Sequence, residues 1–276
     1  MEYKIVADSS CDLNKELEEK LNVSLVPFKI DIDDHSYIDD ENIDVAEMTK
    51  NMLASPNPVK TSCPSPGDFV AQYEGGKNVF VVTISSQLSG TYNSAILAKD
   101  MVMENIPEKF IHVFNSKSAS VGETLTAFKI KQCIDEKLSN SQIVEKVEHF
   151  INNMKTFFIS DDLSNLIKNG RISKTKGLII SALNIVPVMG AEEGNIVLID
   201  KARGSKRAFK KLAQIISESG VNFEERVLAI SHADALQKAL DLKEELKKLN
   251  FKDIIIVQTK GLSTAYVNDG GVIVSF

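Results

Sequence analysis

The sequence predicts an α/β protein built as two domains. Short runs of β-branched residues alternate with amphipathic stretches through nearly all of its 276 residues, and the pattern changes character after residue 153. A hydrophobic content of 43% supplies enough apolar material for two modest cores rather than one small one.

In chain order, a strand-like run over 3–7 leads into the polar stretch Asp8-Ser9-Ser10-Cys11-Asp12-Leu13 and then a helical pattern over 14–21. Residues 23–32 read as one long strand, followed by a helix over 45–53. Pro56, Pro58, Pro64 and Pro66 crowd into 55–66, so this segment is expected to be an ordered, helix-free loop near the domain cleft. Helices over 67–73, 92–103, 120–137 and 141–153 alternate with strands over 78–84 and 110–115, completing an N-terminal α/β domain of residues 1–153. The C-terminal α/β domain, 154–276, carries strands over 156–160, 186–189, 195–201, 226–231, 253–258 and 272–276. Its helices run over 205–218 and 233–249, the second with Ala235, Leu236, Ala239, Leu242, Leu246 and Leu249 along one side. Such alternation argues for largely parallel strand pairing.

Composition excludes several classes of function. The net charge of -6 comes from interspersed charges of both signs, so no basic stripe marks a nucleic-acid surface. Apolar runs such as 79–82 and 254–257 fall far short of the roughly 20 residues a membrane span needs, which argues against stable membrane insertion. The first residues do not open a signal peptide, and a cytoplasmic protein is expected. Cys11, Cys63 and Cys133 are scattered, and His35, His112, His149 and His232 have no metal-ligand spacing, so no metal or other cofactor is expected.

The sharpest local signal is Ser85-Ser86-Gln87-Leu88-Ser89-Gly90-Thr91-Tyr92-Asn93-Ser94, between a buried-strand run and the helix that follows. A strand-to-helix junction exposes unpaired N–H groups at the positive end of the helix dipole, and hydroxyls beside them make an anion site. The same residues would also serve a well-capped helix, but five Ser or Thr residues and a glycine in ten positions exceed what one cap needs. A second hydroxyl cluster, Thr61-Ser62-Cys63-Pro64-Ser65, lies in the proline-stiffened loop, where Ser65 and Pro66 also match a helix start. Ser9 and Ser10 fall at the carboxyl edge of the first strand, where open α/β sheets place ligands, and Asp12 stands where a helix cap would. Arg171 and Arg203 are the candidate anion-binding cations, each next to a glycine, whereas Arg207 reads as solvated surface. No GxSxG elbow, phosphate loop or base near the hydroxyl clusters is present, which favours a binding protein over an enzyme.

Taken together, Asp8-Ser9-Ser10-Cys11-Asp12-Leu13, Thr61-Ser62-Cys63-Pro64-Ser65, Ser86 to Ala95, Gly170-Arg171-Ile172-Ser173 and Lys201-Ala202-Arg203-Gly204 resemble the DegV family of fatty-acid-binding proteins. Members serve in many bacteria as the lipid-carrying subunit of fatty-acid kinase. The resemblance implies a two-domain fold with a long-chain fatty acid between the domains, and a separate kinase subunit that phosphorylates the bound carboxylate. It implies that Thr61, Ser62 and Ser94 hydrogen-bond the carboxylate, with Gly90 and Thr91 in the same motif, and that Arg203 serves the kinase partnership. Two positions depart from the family pattern: Cys63 replaces the usual glutamine, and Tyr266 stands where the family has a histidine. A tyrosine hydroxyl also donates one hydrogen bond, so Tyr266 joins the expected ligand contacts.

For the acyl chain, the apolar block 177–183 with Ile185, Val186, Val188 and Met189 is the expected wall, joined by Phe28, Phe69 and Phe158. Ordinary core packing accounts for the same composition. The competing functional reading is an enzyme or sensor for another small anionic metabolite, such as a phosphorylated one.

Overall fold

The computed structural model describes residues 3–172 and 184–276. From the amino end its elements are β1 (Tyr3–Asp8), α1 (Lys15–Leu21), β2 (Val23–Val26), β3 (Lys29–Ile32), β4 (His35–Ile38), α2 (Val45–Ala54), β5 (Lys60–Ser62) and α3 (Pro66–Tyr73). There follow β6 (Asn78–Thr83), α4 (Thr91–Asn105), β7 (Phe110–Asn115), α5 (Val121–Asp135), α6 (Asn140–Asn153), β8 (Thr156–Ile159) and α7 (Ser164–Lys168). The last third contains β9 (Ile185–Glu192), β10 (Asn195–Arg203), α8 (Ser205–Ser217), β11 (Val227–His232), α9 (Leu236–Leu246), β12 (Asp253–Gln258), α10 (Gly261–Val267) and β13 (Val272–Ser275).

Side-chain alternation along the strands creates the layers. The first sheet is parallel throughout, in the order β2-β1-β6-β7. Val6, Val79, Val81 and Val113 face α3 and α4, while Ile5, Ala7, Phe80 and Val82 face α1, α5 and α6. That second helix layer is shared: the same core takes in Phe158, Met189, Ala229 and Ile273 from the inner face of a six-stranded sheet, β10-β9-β8-β13-β11-β12. On the outer face Ile159, Val188, Leu228 and Val274 pack against α8 and α9. A small sheet, β4-β3-β5, stands apart from both. All four strands of the first sheet precede residue 153 and all six of the second follow it, yet one core runs between them.

The expected α/β class is observed, with several local corrections. The run 23–32 is two strands, because Pro27 lacks the N–H a strand interior needs, and the chain leaves the parallel sheet for the small one there. The segment 55–66 is not all loop: Lys60–Ser62 forms β5, paired antiparallel with β3. Parallel pairing is confined in the second sheet to β11 and β12, since its other neighbours are antiparallel. The expected start at Ser65 and Pro66 is present as a capping box with Asp68 and Pro at the first turn of α3. Among the described residues no helix is long and apolar enough to cross a membrane.

Candidate functional site

Parallel strands end at a common edge, and the loops leaving β1, β6 and β7 there deliver Ser10, Ile84, Leu88 and Ala119 to one cavity. Its opposite wall is the inner face of the second sheet, with Thr156, Phe158 and Ile273. α10 closes a third side through Leu262, Ser263 and Tyr266. The cavity opens to solvent, measures about 1020 Å³ with that open space included, and has a mostly apolar lining.

A polar pole is assembled at this cavity from four separate stretches of chain. Thr61 sits on β5 opposite Ile30 of β3, and strand alternation leaves it half-buried while Lys60 and Ser62 are exposed. Its Oγ1 lies 2.8 Å from the hydroxyl of Tyr266, near the end of α10. Arg171 stacks over the Tyr266 ring, its guanidinium carbon 5.8 Å from the centroid. Arg171 Nε donates to the Leu88 carbonyl at 3.1 Å and Nη1 to the Asn169 carbonyl at 2.6 Å, which fixes the guanidinium plane beside the β6–α4 loop. Asn165 and Asn169 of the α7 turn support this corner, donating to the carbonyls of Ala265 at 2.8 Å and Val59 at 2.9 Å. Gly90 completes the pole: a side-chain carbon there would lie 3.6 Å from Cys63 Sγ, so the two hydroxyl-bearing loops meet side by side.

Of the residues singled out in the sequence, Thr61, Gly90, Arg171 and Tyr266 therefore line one cavity. Ser62, Thr91, Ser94 and Arg203 do not line it. Thr91 is fully buried and bonded to the Ser89 hydroxyl at 2.8 Å, and Ser94 is half-buried one turn into α4, its N–H donating to the Gly90 carbonyl at 3.1 Å. Arg203 is exposed at the end of β10. Phe28 and Phe158 line the cavity, but Phe69 is buried on the far face of the first sheet. Val186 and Val188 face α8, Met189 lies in the shared core, and the block 177–183 falls outside the described residues. From β9 it is Gly190 and Ala191 that line the cavity, not Ile185 and the hydrophobic residues after it.

Behind β1 lies a group that sequence reasoning missed: Asp8, Asp12, Asp39 and Glu123 are all fully buried. Asp8 accepts the N–H of Ile84 at 2.8 Å and of Ser10 at 3.0 Å, yet burial pushes its carboxyl up to about 7. Burial, with the charge of Asp8 beside it, raises Glu123 well above the usual carboxyl range and favours its neutral form, and neither of its carboxyl oxygens has a hydrogen-bond partner. Asp12 does not cap α1, whose cap is Asn14; it accepts the N–H of Lys260 at 2.7 Å and the hydroxyl of Ser120. Burial pushes Asp12 up to about 7 against the pull of those donors. Asp39 is raised by burial and held back by the Leu262 N–H, the Ser9 hydroxyl and the Gly261 N–H. Glu123 carried a signal in the sequence, as the one charged residue between Lys117 and Lys129. Among the described residues no cluster of three or more His, Cys, Asp or Glu side chains could hold a metal ion.

Comparison with known proteins follows this geometry. A DegV domain-containing protein of Streptococcus pneumoniae is 34% identical over 281 residues, covering 100% of this chain and 99% of the relative. A crystal structure of a DegV family protein from Ruminococcus gnavus with vaccenic acid superposes with a TM-score of 0.95 at 39% identity, covering 99% of each chain. The Streptococcus pneumoniae fatty acid kinase B3 protein, loaded with linoleic acid, superposes with a TM-score of 0.91 at 33% identity, over 100% of this chain and 99% of that one. A family model described as uncharacterised protein, DegV family, matches residues 2–276, and the chain belongs to that family.

Proposed function

We propose that this protein binds a long-chain fatty acid in the cavity between its two sheets, where domains 1–153 and 154–276 meet, and presents the carboxylate to a separate fatty-acid kinase subunit. It works in the cytoplasm, without a cofactor, and performs no phosphoryl transfer itself. The observation that carries this reading is the 2.8 Å contact between Thr61 and Tyr266, with Arg171 beside it, at a polar corner of a mostly apolar cavity. Each hydroxyl can turn its proton toward an incoming carboxylate, and Arg171 adds positive charge behind the Tyr266 ring. The family resemblance adds Ser94, one turn beyond Gly90 in α4 and outside the cavity lining, as a further donor, while Ser62 and Thr91 stand behind the contacting residues. Solved relatives carrying vaccenic and linoleic acid support the choice of ligand.

The energetics favour an acyl chain. Burying about fifteen methylenes at roughly 0.8 kcal/mol each gives on the order of 12 kcal/mol before the costs of association. A carboxylate moved out of water loses several kcal/mol of hydration unless donors replace it, which is what the pole supplies. A small phosphorylated metabolite would leave Phe28, Phe158 and Ile273 facing polar groups with no gain from burial.

For the partner, Arg203 belongs to a cationic run: Lys201, Lys206, Arg207 and Lys210 are exposed with it on the end of β10 and on α8, in a chain of net charge -6. Such a run suits an acidic protein surface or a nucleotide phosphate on the kinase side. Organic extraction of purified protein followed by mass spectrometry, paired with calorimetric titration of the delipidated protein with oleate, tests the reading. A co-purified fatty acid and saturable uptake are expected; protein that carries no lipid and takes up no oleate would overturn it.

A further inference from the structure

α10 carries Tyr266 but is only seven residues long, too short to hold itself in water. Its N-cap, Lys260, offers no side-chain cap of its own. Acceptors arrive instead from remote sequence. Asp12 takes the N–H of Lys260 at 2.7 Å, and Asp39 takes those of Gly261 at 2.8 Å and Leu262 at 3.0 Å. A negative charge at this end of a helix also favours its dipole.

Asp39 is also tied to the other side of the pole. It follows β4, its own N–H donates to the Phe28 carbonyl at 2.9 Å, and its carboxylate accepts the Ser9 hydroxyl at 2.8 Å. Ser9 Oγ in turn accepts the Phe28 N–H at 3.0 Å, so its proton is committed to Asp39. β4 pairs with β3, and β3 places Ile30 directly opposite Thr61. A side-chain carbon on Gly261 would lie 2.7 Å from Asp39 Oδ1 and 2.9 Å from Ile30 Cδ1, so only glycine admits this close approach of helix, carboxylate and small sheet. One carboxylate thus joins the helix that carries Tyr266 to the sheet that carries Thr61.

We infer that Asp39 is a positioning residue for the cavity pole: by clamping the start of α10 to the three-stranded sheet it sets the Tyr266–Thr61 contact, and through it the affinity for an acyl carboxylate. This rests on the fatty-acid reading above. The carboxylate suits the task because it is acceptor-only and can meet three donors on two oxygens. Asparagine has one acceptor oxygen, and its amide NH2 would face a donor at the other position.

Two readouts test the inference. In ligand-free protein labelled with ¹³Cζ-tyrosine, the Tyr266 resonance, assigned by its loss in Tyr266→Phe, shifts on Asp39→Asn; an unmoved resonance overturns the proposal. In oleate titrations, Asp39→Asn weakens binding about tenfold in the wild-type background and less than about twofold in Tyr266→Phe, because the two act through one contact. Full additivity of the two losses, or no loss from Asp39→Asn alone, marks Asp39 as merely structural and overturns the proposal. If Asp39→Asn does not fold, Ser9→Ala decides by the same cycle: it removes one donor to the carboxylate, and a loss of about threefold that vanishes in Tyr266→Phe is expected, whereas an additive loss overturns. A wild-type protein that binds no oleate defeats the functional reading, and the tyrosine resonance still decides whether Asp39 sets Tyr266.

Discussion

At the cavity pole, hydroxyl and guanidinium groups from Thr61, Tyr266 and Arg171 face a space that holds no fixed negative charge among its lining residues. Behind β1 the situation is reversed: Asp8, Asp12, Asp39 and Glu123 are fully buried carboxyl groups, the three aspartates met by backbone N–H groups and hydroxyls. The pole is lined by donors, and in the acid group Asp8, Asp12 and Asp39 are already met by donors while both carboxyl oxygens of Glu123 lack a hydrogen-bond partner. On the proposed function the donors of the pole serve a ligand carboxylate, whereas polarity in the acid group joins β1, α5, α10 and the small sheet. The two differ most simply in which loses binding and which loses stability when a side chain is removed.

The sharpest separation comes from Thr61→Ala combined with Ser94→Ala. On the proposed function each removes one hydrogen bond to the carboxylate, so oleate affinity is expected to fall roughly 100-fold while the fold survives. Both residues lie at half-buried positions, one on a short strand and one in the first turn of α4, so neither opens a core cavity. Calorimetric titration reads the affinity, and circular dichroism confirms the fold; an unchanged affinity would show that the head group sits elsewhere.

The acid group is separated by pH. Asp8 and Asp12 have ordinary values of 3.8 and are pushed by burial to about 7 when folded, and burial also raises Glu123. A carboxyl group whose folded value is raised contributes stability fully below its unfolded value and loses it as pH rises through the folded one. The thermal midpoint Tm should therefore fall between about pH 4 and pH 7, by on the order of 5 °C. Glu123→Gln keeps the side chain neutral at every pH and removes its own titration, so its share of that dependence should disappear. Scanning calorimetry across this range is the measurement, and an equal slope in variant and wild type would mean that Glu123 is not the group being titrated.

Tyr266→Phe gives a smaller loss, about tenfold in oleate affinity, because it deletes a single hydroxyl and leaves the ring under Arg171 in place. Tyr266→His then distinguishes geometry from chemistry. If the hydroxyl matters as a donor alone, a neutral imidazole restores part of the affinity; no recovery with histidine would make the tyrosine's reach the deciding feature.

Legibility in the sequence followed the range of the interactions. Strands β1, β6 and β7 and the helices between them were readable because alternation and helical period are local, and Thr61, Gly90 and Arg171 stood out as hydroxyl, glycine and arginine in loops at strand or helix ends. β5 escaped because three residues carry no period, and only its partner β3 makes it a strand. α10 escaped because its caps come from Asp12 and Asp39, more than 200 residues away along the chain. Asp39 reads as surface in the run Asp39-Asp40-Glu41, and nothing local distinguishes the first acid, which is buried, from its neighbours. Tyr266 was found through its place in a family motif, not through any signal of its own. The apolar wall was misplaced along β9 because composition cannot tell a cavity wall from a core: Val186 and Val188 proved to face α8.

The smallest effect on binding belongs to Arg203→Ala. Arg203 lies at the end of β10, outside the cavity, next to the positive-φ Gly204 that starts α8, and its exposed side chain stands among Lys201, Lys206 and Arg207. Removing one solvated charge costs little stability and should leave oleate affinity within about twofold of wild type. On the proposed function, association with an acidic kinase surface depends on the summed charge of this strip, so turnover of the bound fatty acid by a cognate kinase should fall severalfold at low salt and show a flatter salt dependence than wild type. A charge-conserving Arg203→Lys separates the two contributions arginine makes: it restores the long-range attraction but not a paired hydrogen-bond contact with a carboxylate or phosphate. Full rescue by lysine would assign Arg203 to steering, no rescue would assign it to a direct contact, and turnover unchanged in Arg203→Ala would remove this edge of the second sheet from the kinase interface.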